Sequence, residues 1–352
     1  GIMSRRVDSS LLVGLDVGTS KVAILVAEVG ADGHVSVVGH GEAPSRGIKK
    51  GVVVNIDTTT KSIRGAVNEA NEMASCAVHS VYAGVSGSHL RSYNSQGIVP
   101  VAKPRKEVTQ KDVRRVIDAA SAVAIPADQQ VLHVLPQEFV LDDQDGISEP
   151  VGMSGVRLEA HVHMVTSSVS AVQNLQKCIS HCGLVTDRLI LQSLAAAHGV
   201  LNEDERELGV VLIDIGGGTT DIAVLQQGAI RHSAVLPIGG DHITNDIAVA
   251  LRAPFQSAEA IKLSHACALP EMHEGEDMLE VKDVGNRPSR QMSRHVLTEV
   301  VRARVDEIFR LCLRKVREGG FDHPLPAGGV VLTGGSARIP GICELAEEIF
   351  EV

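Results

Sequence analysis

Tryptophan is absent from the 352-residue chain, and phenylalanine and tyrosine bring aromatics to only 2% of residues. A core must therefore be built from Val, Leu, Ile and Ala, and surfaces that stack nucleic-acid bases are poorly provided for. A surplus of positive charge is missing too. The formal net charge of −10 argues against a general nucleic-acid or anionic-membrane surface, so no nucleic-acid partner is expected. No apolar run reaches the length of a membrane span, and Gly1–Ser10 lacks the apolar core of a signal peptide, which points to a cytoplasmic protein. The six cysteines (Cys76, Cys178, Cys182, Cys267, Cys312 and Cys343) show no framework spacing and read as thiols of a reducing compartment. Cys178, His181 and Cys182 share one apparent helix, but their neighbourhood offers no fourth ligand for a structural zinc.

What is present is a pair of glycine-rich turns. DVGTSK at Asp16–Lys21 and DIGGGTTD at Asp214–Asp221 each follow an apolar strand and lead into a returning one, which suggests one device used twice. Glycines at Gly18, Gly216, Gly217 and Gly218 let successive backbone N–H groups converge on an anion. Hydroxyls at Thr19, Ser20, Thr219 and Thr220 add donors, and Lys21 can place a point charge on a phosphate oxygen. Asp16 and Asp214 end their strands at the mouths of the turns. A carboxylate beside phosphates makes sense mainly with a divalent cation and its water between them. Either turn alone reads equally well as a β-hairpin whose glycines serve only backbone geometry. Neither has the GxxxxGK[ST] spacing of a P-loop or the GxGxxG of a dinucleotide fold. A cleft between two similar halves, each giving one phosphate turn, is the economical account.

A third element fits that cleft. Strand Gly329–Thr333 is followed by Gly334-Gly335-Ser336 and then by Pro340-Gly341 opening a helical pattern, where a nucleoside could sit. With the three motifs in this order, the chain resembles the actin-like ATPase superfamily over nearly its whole length. Within that superfamily it is most similar to the bacterial cell-division FtsA family. GTSK in the first motif, NEDERELG at Asn202–Gly209 and VLTGGSARIPG at Val331–Gly341 carry that closer likeness.

The resemblance implies an α/β, two-lobed actin-like fold with mixed sheets flanked by helices and a small inserted α+β subdomain. ATP and Mg²⁺ are expected between the lobes. Gly239 and Gly240, ahead of a helix at Asp241–Ala250, join the nucleotide contacts. Glu259 and Lys262 match the superfamily's ribose-contacting pair, although an exposed i,i+3 salt bridge is an equally simple account. Gln192 falls where actin orients the attacking water, and Asp221 where chaperones carry an aspartate and actin a histidine. These two are the only candidates for positioning water. Weak hydrolysis or none is therefore expected.

In sequence order, residues 1–85 and 166–201 read as the first lobe, and 86–165 as an insertion of strand, helix, strand and strand. Residues 202–252 and 293–352 read as the second lobe, with 253–292 as its small upper subdomain. Asp57 is expected to cap the first helix. In 253–292 a helix at Ser257–Ala266 precedes an acidic loop (Glu271, Glu274, Glu276, Asp277) and a basic stretch (Arg287, Arg290, Arg294). By resemblance, that stretch receives the C-terminal tail of the tubulin-like protein FtsZ, the insertion recruits later division proteins, and ATP-bound subunits stack head to tail. Such a protein works at the cytoplasmic face of the inner membrane at the division site. The second lobe lacks a final strand and helix by comparison with the first, so a membrane-binding amphipathic helix is expected only beyond Val352. A pilus-assembly actin homologue and a small-molecule kinase are the alternatives. No substrate-side base or sugar-binding polar cluster is visible to support the kinase.

Overall fold

The computed structural model describes residues 11–102, 106–272, 278–281, 285 and 287–352. Strands β1 (Leu11–Val17) and β2 (Lys21–Val29) form an antiparallel hairpin, and β3 (Val35–Pro44) pairs with β2. Val13, Leu15 and Val17 of β1 are buried at alternate positions, as one covered face of a sheet requires. A two-stranded tie of β4 (Ile48–Lys49) and β5 (Val52–Val53) leads to helix α1 (Ile56–Ala74). Ile63, Ala66, Val67 and Ala70 of α1 are buried at helical spacing, the stripe that lies on the sheet. Its cap is Asn55, whose side chain accepts from Thr58 N–H. Asp57, expected as the cap, lies in the first turn, where its charge favours the helix dipole instead. Strand β6 (Ser80–Val85) then runs parallel to β1.

The insertion follows as β7 (Arg91–Pro100), α2 (Gln110–Ser121), β8 (Gln129–Leu141), β9 (Gln144–Ile147) and β10 (Arg157–Ser168). Its sheet order is β7-β10-β8-β9. Thr109 and Asp112 form a capping box that starts α2. Two features differ from the expected strand, helix, strand, strand. The four-residue β9 is an added hairpin strand whose QDGI sequence has a single buried residue, Ile147. β7 begins at Arg91 and not near Gly97, because its polar first half pairs fully with β10.

Helix α3 (Val169–His181), capped by Ser168, returns the chain to the first lobe. The thiols of Cys178 on it and of Cys182, its C-cap, donate to carbonyl oxygens of Ile56 and Thr60 on α1. Strand β11 (Val185–Leu191) completes a five-stranded sheet of order β11-β6-β1-β2-β3. Helices α4 (Gln192–Val200) and α5 (Glu203–Leu208) cross to the second lobe. NEDERELG is the capping box and body of α5, with Asn202 and Glu205 each bonding the other's backbone N–H.

In the second lobe, β12 (Val210–Ile215), β13 (Thr220–Gln226) and β14 (Ala229–Leu236) repeat the hairpin and third strand of the first. Helices α6 (Gly240–Leu251) and α7 (Phe255–His265), a hairpin of β15 (Met278–Val281) and β16 (Arg290–Ser293), and helix α8 (Arg294–Glu318) follow. Strand β17 (Val330–Thr333) runs parallel to β12, giving the order β14-β13-β12-β17, and α9 (Ile342–Phe350) closes the described elements. Both lobes therefore hold a third strand, a hairpin and a parallel strand in the same order. β12 and β13 are nearly continuous apolar runs because both faces are covered. Val211, Ile213 and Ile215 join a core with α6, α8 and α9, while Val210 and Leu212 pack with Ala197 and Leu201. Phe309 on α8 meets Phe350 on α9 edge-on, with ring centres 5.7 Å apart. The β15–β16 hairpin has no counterpart in the sequence pattern, its strands being four residues each. Glu274, Glu276 and Asp277 of the expected acidic loop lie outside the described residues.

Candidate functional site

The two glycine turns are the same turn. In the first, Asp16 pairs with Ala23 and Val17 with Val22, and Gly18 N–H donates to the Lys21 carbonyl at 3.0 Å. In the second, Asp214 pairs with Asp221 and Ile215 with Thr220, and Gly216 N–H donates to the Thr219 carbonyl at 2.9 Å. The turns lie against each other across the lobes. A Cβ added at Gly217 would collide with Ser20 Oγ, and one at Gly218 with the side chain of Thr19. Ser20 Oγ donates to Asp241 on α6 at 2.9 Å, tying the first turn to the second lobe.

Three carboxylates converge beneath the turns. Burial raises the Asp16 carboxyl above its ordinary range while the Lys21 charge opposes the rise. Asp16 still keeps surface open to the cleft. Burial pushes Asp214 up to about 6, the charge of Asp16 adding to the rise and a hydrogen bond from Gln192 resisting it. Asp221 is only 3% exposed and is raised well above the carboxylate range, first by burial and then by the charge of Asp214. These are the effects expected of like charges sharing a low-dielectric site. Among the described residues, no three His, Cys, Asp or Glu side chains cage an ion directly.

The remaining expected residues gather around this centre, with exceptions. Gly240 and Asp241 N–H, at the start of α6, donate to the carbonyls of Gly216 and Gly217 at 2.8 and 2.9 Å. A Cβ at Gly239 would collide with Gly216 O. Thr220 Oγ1 is turned away from the cleft, donating to Ile238 O at 2.7 Å. Glu259 and Lys262 on α7 form an ion pair at 2.9 Å, and the Lys262 side chain is only 10% exposed. Lys262 also donates to Gly240 O at 3.2 Å, and Glu259 accepts from Thr244. The pair is thus built into the wall behind Gly240. Gly334 has φ +91°, and a Cβ there would strike Ile215 O and press on Asp214 Oδ1. Ser336 Oγ lies 2.8 Å from where a Gly240 Cβ would be, whereas Gly335 faces open space. Lys21 points elsewhere: its ammonium is 3.4 Å from Glu42 on β3, both side chains being largely exposed.

Residues that sequence reasoning did not assign complete the site. Ser86, just after β6, bonds Asp221 Oδ1 at 2.9 Å and Thr219 Oγ1 at 3.1 Å. Gly51 N–H donates to Thr19 Oγ1 at 3.2 Å, and Asp241 receives Ser20. Ser86 had a legible signal. It follows the strand parallel to β1, as Gly334-Gly335-Ser336 follow the strand parallel to β12.

The three arginines fall between the end of β15 and the first residue of α8. Arg287 is exposed. Arg290 opens β16, and its Nε and Nη2 are buried with no hydrogen-bond partner among the described residues. Arg294 begins α8 and is half-buried.

Paired lobes of this strand order, with matched turns facing each other, define the actin-like ATPase fold. The PilM–PilN type IV pilus biogenesis complex is similar with a TM-score of 0.68 at 16% identity, over 97% of this chain and 86% of that one. An MreB protein of Spiroplasma citri bound to ADP gives 0.59 at 16% identity, over 97% and 90%. These likenesses show the fold. The profile described as "SHS2 domain inserted in FTSA" matches residues 87–166, and that of "Cell division protein FtsA" matches 211–352. The cell division protein FtsA of Pseudomonas aeruginosa is 56% identical over 97% of this chain and 81% of its own length. The Escherichia coli K12 protein of that name is 44% identical over 99% and 84%. The Bacillus subtilis one is 37% identical over 98% and 78%. The chain belongs to the FtsA family of cell division proteins.

Proposed function

We propose that this chain is an ATP-dependent cell-division adaptor. It binds Mg-ATP in the cleft, stacks head to tail in that state, and links FtsZ filaments to the cytoplasmic face of the inner membrane at the division site. The observation that carries the nucleotide reading is the duplicated turn closed by Gly18 and Gly216, set above three carboxylates. The residues suit a magnesium nucleotide, because burial raises Asp16, Asp214 and Asp221, the charge of Asp16 adds to the rise of Asp214, and the charges of Asp214 and Asp16 add to that of Asp221. A cation near them would relieve that repulsion. Asp16 and Asp214 would hold Mg²⁺ through water, as no direct cage is built among the described residues. Gly18–Ser20, Gly216–Thr219, Gly239 and Gly240 would receive the phosphates. Glu259, Lys262 and Gly334–Ser336 would border the nucleoside. When bound, the ion would supply charge neutralisation to the phosphates.

The touching turns favour a switch, since a phosphate chain between them requires the lobes to part and settle around it. Gln192 and Asp221 are the candidates for positioning water, and both are already hydrogen-bonded to neighbours. That supports slow turnover or none. In this reading, 86–165 recruits later division proteins, and Arg287, Arg290 and Arg294 border the site for the FtsZ tail. The division of the chain at 85/86, 165/166, 201/202, 252/253 and 292/293 belongs to the same proposal. Calorimetry with Mg-ATP tests the cleft, and cosedimentation of the ATP-loaded protein with FtsZ, with and without its C-terminal tail, tests the adaptor. Loss of FtsZ binding with the tail present would overturn the adaptor reading, and no Mg-ATP binding would overturn the cleft. Identity of 56% to a cell division protein against 16% to a pilus complex weighs against the pilus alternative.

A further inference from the structure

Asp241 is the second residue of α6, and both its backbone and its side chain hold the facing turns. Its N–H donates to the Gly217 carbonyl at 2.9 Å, and its Oδ1 accepts from the Ser20 hydroxyl at 2.9 Å. Oδ2 lies 3.2 Å from where a Gly217 Cβ would stand. The residue is half-buried and belongs to the first turn of the helix, where the dipole favours a negative charge. A carboxylate oxygen only accepts, so the Ser20 proton is committed to Asp241. The Asp241 carboxylate therefore sits among the groups that an anion in the cleft needs, the Ser20 hydroxyl of one turn and the Gly217 stretch of the other.

The basic side chains of the site leave that charge uncancelled. Lys21 is 3.4 Å from Glu42, and Lys262 pairs with Glu259 at 2.9 Å while donating to Gly240 O at 3.2 Å. Among the described residues, no lysine, arginine or histidine forms an ion pair with Asp241. Backbone N–H groups and hydroxyls can orient on a phosphate, but they do not cancel its charge. Like charges a few ångströms apart repel strongly where water is partly excluded.

We propose that Asp241 is a specificity-determining residue that makes the cleft reject a nucleoside triphosphate arriving without a divalent cation. A triphosphate seated at Ser20 and Gly217 has to take the Ser20 hydrogen bond from Asp241 and then lie beside the carboxylate it displaced. With a cation, it brings a smaller net charge to that contact, and without one it meets Asp241 at full charge. Asp241 thus opposes the bare ligand from beside the turns, whereas Asp16 and Asp214 face the cation in the proposed function. Asp241 also ties the lobes through Ser20 until phosphate takes that hydroxyl. This deepens the proposed function and rests on its ATP reading.

Calorimetry on the full chain tests it, with ATP in excess Mg²⁺ and with ATP in EDTA, read as the ratio of the metal-free to the Mg-ATP dissociation constant. The unsubstituted protein should prefer Mg-ATP. Asp241→Asn, which still accepts from Ser20 but carries no charge, should lower the ratio by about tenfold or more, chiefly by tightening metal-free ATP. If metal-free ATP does not bind the unsubstituted protein measurably, the same gain shows as measurable binding by the variant. Asp241→Ala removes acceptor and charge together and should lower the ratio as far, and it serves alone if Asp241→Asn does not fold. Ser20→Ala removes the tie and leaves the charge, so it should weaken both forms alike and keep the ratio. Equal affinity of the unsubstituted protein for the two forms, or an unchanged ratio in the Asp241 variants, overturns the inference while the cleft stands. A ratio lowered only by loss of Mg-ATP affinity overturns it too, since Asp241 would then hold the cation. Failure of the unsubstituted protein to bind either form removes the ATP reading and the inference with it.

Discussion

Asp214 and Asp221 stand directly opposite each other across β12 and β13, and the charge of Asp214 adds to the rise that burial imposes on Asp221. Like charges in register destabilise a strand pair, so a protein that keeps them uses the site for something other than its own stability. The counterpart of Asp221 in the first turn is Ala23. The repeat thus shares its turn but not its acidic pair, and in the proposed function that asymmetry assigns the water-positioning role to the second turn.

The first prediction follows from that crowding. The folded pKa of Asp214, about 6, exceeds its ordinary value of 3.8. Its neutral form is favoured in the fold, and stability from this group is present below the ordinary value and lost as pH rises through 6. Asp214→Asn should therefore stabilise the nucleotide-free protein at pH 7.5 by at most about 3 kcal/mol, with the gain vanishing near pH 4. The same variant should lose most of its Mg-ATP affinity. Urea melts at both pH values and calorimetry check the two halves, and unchanged Mg-ATP affinity would remove Asp214 from the site.

A second prediction concerns the contact between the insertion and β14. Asn94 Nδ2 donates to a backbone carbonyl, so Asn94 Oδ1 accepts from His163 Nδ1 at 2.7 Å, and His163 Nε2 accepts from Ser233. The ring is therefore held neutral. Burial first, and the charge of His232 on β14 second, push its pKa down to about 4. The unfolded chain binds this proton between about 6.5 and 4, so the contribution of His163 is intact above 6.5 and is lost as pH falls to 4, for about 3 kcal/mol in all. His232, His89 and His133 are also lowered, chiefly by burial, and act in the same direction. Urea melts at pH 7.5 and pH 4.5 should show a shallower acid loss in His163→Gln, without abolishing it. Identical slopes would mean that the ring is not neutral in the fold.

What was legible in the sequence followed from period and repetition. Alternating or continuous apolar runs marked the strands of both lobes, and the recurrence of the aspartate–glycine turn located the cleft. What escaped was polar or brief. β7 begins with RSYN, of which Ser92 and Asn94 meet β14 by hydrogen bonds, so no apolar alternation announces it. β9, β15 and β16 are four residues each, too short for a period to register. Ser86 and Asp241 act across 135 and 221 positions on Asp221 and Ser20, a pairing that only folding creates. Lys21 was legible as a cation beside a turn, but not as the partner of Glu42 on the neighbouring strand.

A third prediction tests the third motif. At φ +91°, Gly334 adopts a conformation that L side chains rarely take, and a Cβ would also meet Ile215 O. Gly334→Ala should cost at least about 2 kcal/mol from the backbone strain and collision together. It should also reduce Mg-ATP affinity, since relief requires the loop to move away from Asp214. Gly335→Ala, facing open space, should be nearly neutral for stability. Thermal melts of the two variants side by side decide the matter, and equal losses would show that the loop is not held against Asp214.

The last prediction separates the partner site from the cleft. Arg290 opens β16 and is half-buried, and a guanidinium at such an edge gains from a carboxylate brought to it. Exposed apolar side chains at Leu263, Met272 and Met278 belong to the same part of the second lobe, after α6 and before α8. Together they suit an acidic peptide with apolar residues, the chemistry required of the FtsZ tail in the proposed function. Arg290→Glu should weaken binding of a fluorescent FtsZ-tail peptide by at least about tenfold, because the substitution both removes the donor and adds a like charge. Arg290→Lys keeps the charge without the planar fork and should fall between the two. Mg-ATP affinity should be unchanged in both variants, since Arg290 is not among the proposed nucleotide contacts. Tail binding that survives Arg290→Glu in a folded protein would place the FtsZ site elsewhere on the chain.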